Sequence, residues 1–308
     1  MLSFSAKTKQ ELCRNSMSSH CCAVAEAYGF LLFANRFSGT EIRLVTSSAE
    51  IAKRLPPLFA RAFDIDIRKA VREQGTRYRF VLTDSAQLTR IFQVLGYDWS
   101  RGAGCHLHRN VIEEDCCRAS FLRGVFLTSG TVAGPEKKTH LELSTTHQAL
   151  SREVMSLMLD MNLSPKIGTR KSLALLYFKD TENVEDFLTL IGAPIAAMAI
   201  MEGKVEKQLR NSINRTVNCE TANVIKASSA AAKQVMAIRK AMELGGEEVF
   251  PESMRETVRL RLAYPTASLT ELAAQFNPPI SKPGLSYRLR RIIALAERAN
   301  GQKKEEEP

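Results

Sequence analysis

Apolar and polar positions along this chain follow two different rhythms, and the change comes near Ala193-Pro194. Before it, short β-rich runs bounded by polar residues are interleaved with runs of helical period, the pattern of an α+β fold. The β-rich runs are EIRLVTSS (Glu41–Ser48), TRYRFVLT (Thr76–Thr83), HLELSTTH (His140–His147) and KSLALLYF (Lys171–Phe178). After it the strand signal disappears, and the chain reads as helical from Met201 onward.

The N-terminal pattern occurs twice. Cys21-Cys22 reappears about 95 residues later as Cys116-Cys117, each followed by an apolar helical run, and Gly29 and Gly124 stand at the same offset. The helical stretches IAKRLPPLFARAF and ALSREVMSLMLDM follow the first strand of each copy, and AQLTRIFQVLG and VEDFLTLIGAP close the copies. The unit is helix, strand pair, helix, strand pair, helix, with the join near Arg101 to Glu114. Two such halves are expected to share one core about a pseudo-twofold axis; two unrelated α+β domains would make every paired landmark a coincidence. Alternation in the first copy places Arg77 and Arg79, with Arg43 beside them, on one face and Tyr78, Phe80 and Leu82 on the other. Arginine on an exposed strand serves accessory DNA contacts, a protein partner or plain solvation equally well.

In the C-terminal part Asn218 reads as the N-cap of a helix with Glu220 in its first turn and Gly245-Gly246 at its end. Just upstream, Arg210, Asn211, Asn214 and Arg215 lie close together, residue types that hold phosphates or base edges but also serve turns and caps. Three helices follow. The first runs from about Pro251 to Ala263. The second, capped by Ser268, buries Leu269, Leu272, Ala273 and Phe276. Asn277-Pro278-Pro279-Ile280 then makes a turn, and the third helix begins at Ser281 and buries Leu285, Leu289, Ile292 and Ala296. This is the pattern of a helix-turn-helix. Its third helix turns Ser286, Tyr287, Arg290 and Arg291 outward, with Ser281, Lys282 and Gly284 near its exposed start and Arg288 beside them; these eight are the candidate DNA-binding residues. The plain alternative is a basic amphipathic helix that is solvated or faces an acidic partner.

Charge agrees with this without deciding it: 43 Lys and Arg against 33 Asp and Glu give a formal net charge of +10, which attracts polyanions of any kind. The hydrophobic fraction of 44% is that of a globular protein, no apolar stretch is long enough for a bilayer, and the opening MLSFSAKTKQELCR has no secretory organisation, so a cytoplasmic, nucleoid-associated location is expected, with no membrane partner. The seven cysteines are read as free thiols. Cys105-His106-Leu107-His108 with Cys116-Cys117 matches no standard zinc spacing, and adjacent cysteines rarely hold one ion together, so no metal, cofactor or catalytic residue is expected.

LRGVFLTSG (Leu122–Gly130) resembles the helix motif of LAGLIDADG homing endonucleases, and AYGFLLFAN (Ala27–Asn35) is a weaker first copy. In those nucleases an acid near the end of each motif helix holds a divalent metal; the matching positions here are Ser129 and Ala34, so the resemblance implies a scaffold without nuclease activity. Together with NRTVNCETANVIKA (Asn214–Ala227) and ASLTELAAQFNPPISKPGLSYRLRRIIALAE (Ala267–Glu297), FLRGVFLTSGTVAGPEKKTHLEL (Phe121–Leu143) is similar to the WhiA family over nearly the whole chain. The resemblance implies duplicated LAGLIDADG-like repeats followed by an all-α helix-turn-helix domain related to sigma-factor modules. Expected boundaries are 1–108 and 109–205 for the repeats, 206–300 for the helical domain with its core at 250–298, and 301–308 for a disordered tail. It also implies a non-enzymatic, sequence-specific transcription regulator of cell division, chromosome segregation or sporulation. Its partners would be double-stranded DNA and, beyond it, other transcription regulators or RNA polymerase; an interaction scaffold for division proteins is the alternative. Lys282-Pro283-Gly284 departs from the family, which more usually has a serine or similar residue at the proline.

Overall fold

The computed structural model describes residues 2–17, 19–98 and 105–302, with side chains to 298. The chain divides into two compact units, Met1–Gln208 and Leu209–Pro308. Of the expected tail at 301–308, residues 301 and 302 are helical, and residues 303–308, like residues 101–104 of the expected join, lie outside the described residues.

The first unit is α+β and duplicated. After α1 (Phe4–Cys13), the first copy runs α2 (His20–Leu32), β1 (Arg36–Phe37), β2 (Ile42–Thr46), α3 (Ala49–Phe63), β3 (Val71–Gln74), β4 (Arg77–Leu82) and α4 (Ser85–Leu95). The second runs α5 (Asp115–Ser129), β5 (Gly130–Val132), β6 (Leu141–Thr145), α6 (Gln148–Asp160), β7 (Lys166–Arg170), β8 (Leu173–Phe178) and α7 (Thr181–Ile191). Each copy forms a four-stranded antiparallel sheet, ordered β1-β2-β4-β3 and β5-β6-β8-β7. The equivalence extends to the caps: Asp84 and Asp180 accept from the third amide of α4 and α7, and Gly96 and Gly192 end these helices at φ of 71° and 91°, a region that favours glycine. Helix α1 has no counterpart among the described residues of the second copy and stands outside the expected pattern, although Ser3 caps it in the ordinary way. Helix α3 carries Pro56 and Pro57 and stays helical, its apolar face of Ile51, Leu55, Leu58 and Phe59 buried along its length.

One core spans both copies, and α2 and α5 form its centre. They meet backbone to backbone. A methyl group on Gly29 would lie 2.2 Å from the Phe121 carbonyl oxygen, and one on Gly124 would lie 2.1 Å from the Glu26 carbonyl oxygen. Around this contact sits a buried ionic network. Glu26, 1% exposed, takes two hydrogen bonds from Arg54 of α3, the second at 2.8 Å, and one at 3.2 Å from Arg123 of α5. Arg54 also donates to the Cys13 and Asn15 carbonyls, and Arg123 to that of Ile191. The charge is therefore paired and its remaining hydrogen-bonding capacity used, the condition under which a buried ion pair is tolerated.

Helix α8 (Pro194–Gly245) corrects two expectations. It starts at Pro194 rather than Met201, because the carboxylate of Glu11 on α1 accepts from the amides of Ile195 and Ala196, satisfying a helix start that the local sequence does not cap. It then continues unbroken through Asn218, which is an interior residue and not an N-cap. Asparagine costs a helix interior only about 0.7 kcal/mol relative to alanine, too little to end a helix where no proline intervenes. The helix ends at Gly245, followed by Gly246 at φ 66°.

Substituting Gly124→Ala should force α2 and α5 apart and lower unfolding stability by about 3 kcal/mol, read from urea melts; an unchanged midpoint would show that the helices do not meet as described. Glu26→Ala should cost about 3–5 kcal/mol by stranding Arg54 and Arg123, while Glu26→Met combined with Arg54→Met should recover part of the loss in the same assay.

Candidate nucleic-acid interface

The second unit holds the end of α8, then α9 (Glu252–Ala263), α10 (Leu269–Ala274) and α11 (Lys282–Gln302). Two small cores fix these helices. Ile238 and Ala241 of α8 pack with Phe250, Met254, Val258, Ile292 and Ala296, and Leu272, Ala273 and Phe276 pack with Leu285 and Leu289. Every α11 residue expected to face inward is buried. Leu269, also expected inside, is only half-buried: it is the first residue of α10 and packs at the margin of the second core.

The turns are tied by hydrogen bonds. Ser268 and Glu271 form a reciprocal capping box, with Glu271 N to Ser268 Oγ at 3.2 Å and Ser268 N to Glu271 Oε2 at 2.7 Å; these bonds hold the Glu271 carboxyl below its ordinary range. Ile280 N donates to the Ala273 carbonyl across the turn, which contains a cis Asn277-Pro278 peptide. Arg261, only 1% exposed, donates from Nη1 to the Ala267 carbonyl at 2.7 Å and the Tyr264 carbonyl at 3.3 Å, so a cation from α9 braces the entry to α10; burial lowers its pKa.

On this frame α11 presents Tyr287, Arg290 and Arg291 to solvent, Tyr287 at 59% exposure, with Lys282 exposed at its start and Ser286 and Gly284 half-buried. Three of the eight candidate side chains are engaged locally, Arg290 through a 3.4 Å bond from Nε to the Ser286 carbonyl one turn back. Ser281 Oγ accepts from Gly284 N at 3.2 Å, and the half-buried Arg288 holds its guanidinium 5.8 Å from the centre of the Phe276 ring, tying α11 to the end of α10. On α8, Arg210, Asn211, Asn214 and Arg215 are all exposed, and the unbroken helix sets them as two i, i+4 pairs along one stripe.

In the first unit Arg77 and Arg79 are exposed on the outer face of their sheet. Strand pairing enlarges that group. Arg72 lies opposite Arg79, and Arg36 opposite Arg43, so five arginines share the face; Arg36 and Arg43 both pair with Glu41. Alternation within one strand does not reveal Arg36 and Arg72, because only the register of β1 and β3 puts them there. The outer face of the other sheet carries fewer arginines: Glu142 binds Arg170 at 2.8 Å and His140 at 3.2 Å, Lys166 is exposed opposite Tyr177, and the Lys179 ammonium lies 4.9 Å over the Tyr177 ring. Neither position matched to a nuclease acid carries a carboxylate: Ser129 donates to the Val125 carbonyl at the end of α5, and Ala34 is half-buried just past α2.

The cysteines are free thiols, as expected, and the structure adds a clustering that the spacing did not suggest. Cys105 donates toward the Phe37 carbonyl and His106 Nδ1 lies 3.1 Å from Glu153, so neither joins Cys116-Cys117. Instead Cys21, Cys22, Cys116 and Cys117 gather, with all four sulfurs within 4.8 Å of one another. Burial and the neighbouring thiols push the Cys117 thiol well up, whereas bonds from Ser19 and the adjacent thiols lower Cys21. Pairing two positions so far apart in sequence needs the contact of α2 with α5, which spacing alone does not reveal.

Comparison with known proteins places these features together. The profile of the WhiA LAGLIDADG-like domain matches residues 118–210, and that of the WhiA C-terminal HTH domain matches 213–296. The chain is 34% identical to the "Probable cell division protein WhiA" of Ruminiclostridium cellulolyticum over 307 residues, covering 96% of this chain and 98% of that protein. It is also 34% identical to the protein of the same name from Desulforamulus reducens over 314 residues, covering 98% of each. The crystal structure of full-length WhiA from Thermatoga maritima superposes with a TM-score of 0.57 at 24% identity, covering 96% of this chain and 99% of that one, a likeness of fold. Among the described residues no helix is long and apolar enough to cross a membrane.

Proposed function

This chain belongs to the WhiA family, and on that footing we propose that it is a non-enzymatic, sequence-specific DNA-binding regulator of genes for cell division, chromosome segregation or sporulation. The observation that carries the reading is the exposed strip of α11. Lys282, Tyr287, Arg290 and Arg291, with the half-buried Ser286 among them, stand on a helix whose opposite face is locked into two cores and whose entry turns are hydrogen-bonded, so their geometry is set before DNA arrives. Ser281 stands at the helix start, where phosphate is favoured, and its hydroxyl caps the Gly284 amide. Arg288 acts by fixing the helix on Phe276 and reaches phosphate only at its edge.

The arginines of the first sheet and the Arg210, Asn211, Asn214 and Arg215 stripe add phosphate contacts that carry no sequence information. The first unit keeps the duplicated scaffold without the metal-binding acids, so phosphodiester cleavage is not part of the function. Residues 1–108 and 109–205 act as the two repeats and 206–300 as the DNA-binding part, in the cytoplasm and on the nucleoid. A second reading, a scaffold for other regulators or RNA polymerase, draws on one observation: Leu209, Ile213, Val217 and Val224 are all more than half exposed along one side of α8.

Binding should be measured by fluorescence anisotropy on duplexes enriched from fragmented genomic DNA. Arg290→Ala with Arg291→Ala should weaken specific binding by about 1–3 kcal/mol per residue, and equal affinity for the enriched duplex would remove α11 as the reader. Arg77→Ala with Arg79→Ala should leave sequence preference intact and flatten the dependence of log K on log salt by about 0.9 for each phosphate no longer neutralised; an unchanged slope would take the sheet out of the interface.

A further inference from the structure

Four thiols meet where the two repeats begin. Cys21 and Cys22 occupy the first turn of α2, and Cys116 and Cys117 the first turn of α5. The Gly29–Gly124 contact lays these helices against each other, and it brings their N-terminal ends together: Cys22 Sγ lies 3.7 Å from the Cys116 carbonyl, and the sulfurs of Cys116 and Cys117 are 4.0 Å apart. All four sulfurs fall within 4.8 Å of one another. A tetrahedral ion with arms of about 2.3 Å holds its sulfurs about 3.8 Å apart, so each contact needs to close by about 1 Å or less.

We propose that these four cysteines form a zinc site that clasps the N-terminal ends of α2 and α5. On binding, each thiol gives its proton to solvent and its sulfur lone pair to Zn²⁺, leaving a four-thiolate centre with no change of oxidation state. The surroundings suit that charge. Two helix N-termini point their positive ends at it, and Glu114, at the start of α5, caps none of the first-turn amides with its side chain, which leaves them available to sulfur. Ser19 Oγ stands 3.2 Å from Cys21 Sγ as a second partner for that ligand. Thiolate softness selects zinc over magnesium or calcium. Adjacent cysteines are poor ligands for one ion on an extended chain; here each pair lies on a helical turn and supplies one edge of the tetrahedron, the two edges coming from different repeats. The role is structural: four protein ligands leave no open position for substrate. Because the site lies at the start of each repeat, it ties the two halves of the first unit at the N-terminal ends of α2 and α5.

The test uses the untagged full chain purified from zinc-supplemented cells under reductant. One equivalent of zinc by elemental analysis is expected after gel filtration, and stripping it with a strong chelator should lower the melting temperature reversibly. Replacement by Co²⁺ should give the strong visible ligand-field bands and near-ultraviolet sulfur-to-metal charge transfer of a tetrahedral thiolate site, a readout that needs no variant. Cys21→Ser, at an exposed position, should weaken retention and shift the cobalt spectrum, whereas Cys219→Ser should change neither. The proposal is overturned by a chain that retains less than half an equivalent of zinc, by a pale octahedral cobalt spectrum, by iron–sulfur absorbance, or by a disulfide among these four cysteines in protein alkylated at lysis.

Discussion

The contact between Gly29 and Gly124 is the constraint on which the first unit is built. Two helices can bring backbone against backbone only where neither carries a side chain at the crossing, and a single methyl group at either glycine would overlap a carbonyl oxygen of the other helix. That approach sets the spacing of everything attached to the helices. It brings the two sheets into one core, places Arg123 of the second repeat against Glu26 of the first, and lays the two cysteine pairs side by side. The Glu26 network adds direction to a contact that packing alone leaves free to slide, because a buried carboxylate shared by two arginines has one good arrangement and many poor ones.

The second unit solves a different problem with fewer residues. Its cores are small, so its turns rely on hydrogen bonds: a capping box, the Ser281 cap and the buried Arg261 that donates to two turn carbonyls. A helix proposed to read DNA must hold its side chains still while remaining exposed. Anchoring its inner face and both flanking turns achieves this without covering Tyr287, Arg290 or Arg291.

The repeats have diverged chemically while keeping their topology. One sheet gathers five arginines on its outer face, and the other holds one, Arg170, paired with Glu142. The ends of the motif helices, where the resemblance to nucleases would call for carboxylates, hold Ala34 and Ser129, while their opposite ends hold thiols. The shared helix pair therefore lacks carboxylates at the two matched positions at one end and gathers a soft donor set at the other.

Much of this was legible in the residues themselves. The repeat, its element order, the two glycines, and the caps at Ser268 and Gly245 follow from local patterns, since alternation, helical period and backbone freedom act within a few residues. The inward and outward faces of α11 were equally plain, because a helix 3.6 residues to the turn sorts its own side chains. Tertiary structure alone decided the rest. Helix α8 starts at Pro194 because Glu11, distant in sequence, satisfies its first amides, and Asn218 lies inside it because nothing nearby stabilises a break. Arg36 and Arg72 join the basic face through strand register, Arg288 turns to Phe276, and four cysteines in two distant pairs become one cluster. Sequence determined what each segment could be, because those forces are local; which distant groups meet was settled only when two glycines let two helices close on each other.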